Sequence, residues 1–130
     1  MKKNALIRDQ RGQTMAEFAI VLPILALLLF GILQFGILFN NYLTLTDAVR
    51  SGAREAAVAR LSPDPTGTAT AAVRTSAADL NQSNLAITVS STWSAGSDVT
   101  VTATYPYSIN LLGVVVSAGS LTSKTTERVE

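Results

Sequence analysis

At 130 residues and a net charge of +1, the chain lacks the clustered bases that a nucleic-acid surface requires. Residues 1–12 carry four bases and one acid, leaving six bases and eight acids over residues 13–130. With neither cysteine nor histidine in the chain, disulfides are excluded and the commonest metal ligand and general base are missing, so no metal or cofactor is expected.

Lys2, Lys3, Arg8 and Arg11, against Asp9 alone, make residues 1–12 a basic leader. Glu17 then opens an apolar stretch that meets no further charge until Asp47. The 22 residues from Phe18 to Phe39 are uncharged, and Gln34 is their only clearly polar member. A helix of roughly 20 apolar residues crosses about 30 Å of hydrocarbon. One isolated segment can cross only as a helix, because every backbone group must be paired internally. Pro23 falls near the start, where it predicts a mild kink and no break. A cleaved secretory signal has a shorter core of roughly 7–15 residues and a small-residue site after it. Here the core is longer and Gln34 to Asn41 is bulky, so the sequence predicts a retained helix. The excess of bases before the helix predicts a single pass through the cytoplasmic (inner) membrane, with residues 1–12 inside and the C-terminal part outside.

The helix is expected to continue beyond the membrane, since no proline interrupts Leu43 to Leu61 and helix formers dominate from Ala48. Ala48, Gly52 and Ala56 recur every four residues as a small-residue stripe. Such a stripe lets a second helix approach closely, or packs against the chain's own sheet; both readings stand. Asp47 and Arg50 are spaced to pair. Ser62 to Gly67 contains two prolines and a glycine and reads as a loop. Ala69, Ala72, Val73, Ala77 and Leu80 have helical spacing and predict a short second helix over 68–80. Alternation at Leu85, Ile87 and Val89, and again at Val99, Val101, Ala103 and Tyr105, predicts two half-buried strands. Ser94 to Asp98 is the turn between them. Pro106 stops the second strand or marks an edge. Residues 108–119 read as an apolar loop. Their Ile109, Leu111, Leu112 and Val114 to Val116 are expected to form a flap over the sheet; the alternative is an exposed patch for a partner. Leu121 to Val129 reads as a third strand. The expectation is an α+β fold in three parts: a leader (1–12), a long helix (13–61) with its transmembrane part at about 18–39, and a small extracytoplasmic domain (62–130).

No enzyme is expected. Asp64, Asp79 and Asp98 are scattered, and no Gly-x-Ser-x-Gly elbow is present. Trp93, Tyr105 and Tyr107 read as core edges with a wet polar tip; the sharper alternative is an adhesive aromatic patch.

Arg11-Gly12, Glu17-Phe18, the Ala-Ile-Val-Leu-Pro run at 19–23, Gly31 and Gly36 resemble the TadE-like family of the tight-adherence (Flp) pilus system. Ala48 to Ala57 continues the resemblance, and the sheet region agrees in layout only. The resemblance implies a pilin-like fold and a minor pilin or pseudopilin acting in pilus assembly, initiation or capping. It implies cutting by a prepilin peptidase between Gly12 and Gln13, which places Glu17 at the fifth position of the mature chain. Other implied partners are pilin and pseudopilin subunits met through the N-terminal helix, the inner-membrane assembly platform and the lipid bilayer. Many relatives carry Tyr where this chain has Phe18, and some members of the wider family are uncleaved anchors, which is the alternative. The chemistry is consistent on its own terms. A glycine fits a crowded peptidase cleft. A carboxylate near lipid is costly unless a cation offsets it, and the new ammonium of Gln13 is one. Glu17 is thus expected to guide docking; the plainer reading is an acid in the headgroup zone at a helix N-terminus.

Overall fold

The structure is a computed structural model that describes residues 3–130, with side chains from residue 12 onward. Its first element is the helix α1, Lys3–Val58. It runs through Pro23 and back through the stretch the sequence sets apart as the leader. A 3-10 turn, Ala59–Leu61, ends it.

The second helix, α2, is Pro65–Ser76. It starts earlier than the spacing predicts, because Asp64 is its N-cap. The Asp64 carboxylate accepts the Gly67 N–H at 2.9 Å, and Pro65 fills the first helical position, where no N–H is needed. The proline that reads as a loop signal is therefore a helix start. α2 also ends earlier, with Ala77 as its C-cap.

Three strands follow, β1 (Ala86–Ser91), β2 (Asp98–Leu111) and β3 (Val114–Arg128), in one antiparallel sheet of order β1-β2-β3. The turn before β2 closes with the Ser97 N–H on the Ser94 carbonyl at 2.9 Å. The α+β fold is as expected, but residues 108–119 are not a loop and not a flap over the sheet. They complete β2, turn at Leu112-Gly113, and begin β3 seven residues before Leu121. Both turn residues have positive φ, 50° and 86°, as a two-residue type I′ hairpin turn demands. Leu-Gly is a weaker turn signal than Asn-Gly, and the unbroken run Val114 to Val116 has no alternation, so the hairpin left little trace in the pattern. A bulge at Val116 interrupts the ladder, because Ile109 faces Ser117 while Asn110 faces Val115. Pro106 lies inside β2, beyond the last β1 pair at Thr104, where one side of the strand has no ladder to break.

The helices cover one face of the sheet. Leu45, Ala48, Val49, Ala53 and Ala56 of α1 meet Ala69 and Val73 of α2, Val99, Val101 and Ala103 of β2, and Val129 in one buried cluster. Leu45, Val49, Ala53 and Ala56 on α1 advance by four and three residues, and Ala48 lies three from Leu45, the spacing of a single helix face. The other sheet face is polar, with Thr100 and Thr126 in hydroxyl contact at 2.9 Å across β2 and β3. The chain end ties the layers together: the Glu130 N–H bonds the Ala57 carbonyl at 2.9 Å, supplying a donor to one of the last helix carbonyls.

Candidate functional site

The N-terminal half of α1 carries a large uncovered apolar surface among the described residues. From Phe18 to Phe39 its large side chains stand mostly free, Phe18 at 62% and Phe35 at 65% exposure, with Leu38 half-buried. At roughly 1.5 Å per residue this stretch is about 33 Å long, enough to cross a bilayer core. The helix is long and apolar enough to span, and none of its apolar window is buried by the rest of the chain. It is compatible with a single-pass membrane anchor.

At the N-terminal edge of this surface, Gln13 Nε2 donates to Glu17 Oε1 at 3.1 Å, one helical turn apart. Gly12, Gln13, Glu17 and Phe18 are all exposed, so the candidate processing and docking residues share one accessible turn region. Within the uncut chain, Glu17 is met by a neutral amide.

The stripe Ala48, Gly52 and Ala56 lies elsewhere, on the part of α1 packed in the core. All three are buried. A Cβ on Gly52 would run into Val73 Cγ2 and stand 3.2 Å from the Ala69 carbonyl oxygen, so the close approach this glycine permits is made by the chain's own α2. The stripe packs at the meeting of α1, α2 and the sheet.

Of the scattered acids, Asp64 is a helix cap, while Asp47 pairs with Arg50 at 3.6 Å on the surface. Two of the three candidate aromatics are structural in place. Trp93 and Tyr105 pack against the core, and the Tyr105 hydroxyl accepts the Asn81 N–H at 3.3 Å.

One arrangement had no clear signal in the sequence. Tyr105 to Ile109 of β2 share a groove with Gln34, Ile37, Leu38 and Asn41 of α1. Gln34, the polar exception in the apolar stretch, thus faces the hairpin and not open surroundings. A polar residue at helical spacing from Leu38 and Asn41 was the available hint.

No curated protein and no solved structure matches this chain. Residues 12–54 match the TadE-like protein family. The matched segment begins at the glycine of the candidate cleavage site and ends within the part of α1 that is buried in the core, and over it the chain is similar to TadE-like proteins.

Proposed function

We propose that this chain is a minor pilin, or pseudopilin, of a Tad-type (Flp) pilus, acting without enzymatic activity in assembly, initiation or capping of the filament. The TadE-like segment associates it with the Tad pilus system. The observation that carries the reading is the bare apolar half of α1 with a single carboxylate, Glu17, at its edge. In the membrane that surface is solvated by lipid. On leaving the membrane it requires another apolar surround, and packed helices of other pilin subunits supply one. A prepilin peptidase of the cytoplasmic face cuts between Gly12 and Gln13, the inner-membrane platform receives the product, and the outer domain faces away from the cytoplasm. Glu17 then pairs with the new ammonium of its own chain or a neighbour's.

A continuous helix across Gly12 and Gln13 favours a second reading, an uncleaved single-pass assembly factor of the same system. The intact mass of the protein purified from membranes separates the two. A chain starting at Gln13 supports the pilin; a chain starting at Met1, in cells with an active prepilin peptidase, supports the anchor. Glu17→Gln keeps the side chain's size and removes its charge. It is expected to leave membrane insertion unchanged and to reduce pilus output strongly; normal pili would remove the docking role.

A further inference from the structure

The exposed tip of the β2–β3 hairpin points back along α1 toward the span, and we propose that Leu111, Leu112, Val114, Val115 and Val116 insert into the outer leaflet beside the helix as a second, shallow membrane contact. This rests on the reading of α1 as a membrane anchor.

The direction follows from two fixed points. At the far end of α1 the backbone of Glu130, next to the start of β2, bonds Ala57. Further along β2, Tyr107 and Ile109 share a groove with Gln34 and Leu38. β2 therefore runs antiparallel to α1 and descends toward its N-terminus. From Ile109 to the turn is three residues, about 10 Å at roughly 3.3 Å per residue. The same distance spans about seven residues of helix at roughly 1.5 Å each. The tip thus stands beside the stretch Phe18–Phe39, beyond Gln34.

The chemistry of the tip fits that depth. No charge occurs between Asp98 and Lys124. Leu112, Val114, Val115 and Val116 are each more than half exposed, and neither α1 nor the sheet covers them. A protein surrounded by water seldom gathers such a patch on a projecting turn. Here the patch lies alongside another uncovered apolar surface of the same chain, so one medium serves both. The outer edges of a hairpin carry unpaired backbone groups, which hydrocarbon does not tolerate. That confines the tip to the boundary between headgroups and acyl chains, where apolar faces sink about 5–10 Å. Tyr105 and Tyr107 lie farther from the tip, and tyrosine is enriched at the membrane–water boundary.

The absence of native cysteine makes the test clean. Single-cysteine variants of the full chain, Val115→Cys, Leu28→Cys and Lys124→Cys, are labelled with an environment-sensitive fluorophore. They are reconstituted in phosphatidylcholine vesicles carrying quenchers at a shallow or a deep acyl position. The proposal expects blue-shifted emission at residue 115 with loss of intensity to the shallow quencher, loss at residue 28 to the deep quencher, and neither at residue 124. Water-like emission at residue 115 with quenching at residue 28 overturns tip insertion and leaves the anchor standing. No quenching at residue 28 overturns the membrane reading and the insertion with it. Shielding at residue 115 without lipid quenching, accompanied by disulfide-linked dimers of unlabelled Val115→Cys, means that a second copy covers the tip and overturns the proposal.

Discussion

The two halves of α1 are one unbroken helix in two different surroundings. From Leu45 to Ala56 the apolar residues occupy one arc and are wholly buried by α2 and the sheet. From Phe18 to Phe39 they occupy every arc, and among the described residues only the β2 hairpin touches them, in the groove at Ile37 and Leu38. The glycines divide the same way. Gly52 is pressed against Val73, whereas a Cβ on Gly31 or Gly36 would meet nothing within 4 Å. A one-sided stripe needs one partner, and α2 with the sheet is that partner. A helix apolar all round needs a surround, which a small domain cannot provide and which lipid or a bundle of helices can.

The sharpest way to break this division is to make the same truncation on both sides of it. Leu45 is fully buried. Leu45→Ala is expected to destabilise the outer domain by about 2–5 kcal/mol, the range for a leucine deleted from a packed core. Leu28→Ala should leave outer-domain stability unchanged. Trp93 is the only tryptophan and packs on the core, so its fluorescence during denaturant unfolding of the detergent-solubilised chain reports on this domain alone. Equal losses at both positions would mean that the two halves are not independent.

Glycine substitution sharpens the contrast at the level of backbone approach. Gly52→Ala forces a methyl group into Val73, and overpacking of this kind costs about 1–3 kcal/mol. Gly31→Ala meets open space and should leave the same unfolding midpoint untouched. A neutral Gly52→Ala would show that α1 and α2 separate without loss, contrary to the packing described above.

The same division explains what the sequence revealed. The long apolar helix was legible because 22 uncharged residues in a row admit few structures in water. The outer helix, the second helix and the strands were legible because each has one wet face and so carries a period. The hairpin beyond Ser108 was not, because Leu111, Leu112 and Val114 to Val116 are apolar on both faces and show no period. Its turn rests on positive φ at Leu112, which that residue rarely adopts. The start of α2 was misjudged because Pro65 breaks a helix in the middle and favours one at the first turn, and spacing alone does not say which. Gly12, Gln13 and Glu17 stand as candidates because a short motif carries them. The stripe at Ala48, Gly52 and Ala56 leaves two partners open in the sequence, a second helix or the chain's own sheet, since small residues announce a close approach without naming what approaches; the chain's own α2 and sheet meet it.

Asp64 is the test of that α2 reading. Asp64→Ala removes the acceptor for the Gly67 N–H and should cost about 1 kcal/mol, typical of a lost N-cap. Asp79→Ala, an exposed position in the turn after α2, should cost nothing measurable in the same Trp93 assay. If both are neutral, α2 is held by Ala69 and Val73 packing alone and its cap is incidental.

The smallest effect belongs to the surface pair beside the core stripe. Asp47 and Arg50 are mostly exposed and 3.6 Å apart, so solvent screens them. Asp47→Asn should change stability by no more than about 0.5 kcal/mol, less again in high salt. A larger, salt-insensitive loss would mean that Asp47 meets something other than Arg50. Asp47 lies within the TadE-like segment and carries the first charge after the apolar stretch, so the place to look would be the membrane surface or a neighbouring subunit, and not the folded domain.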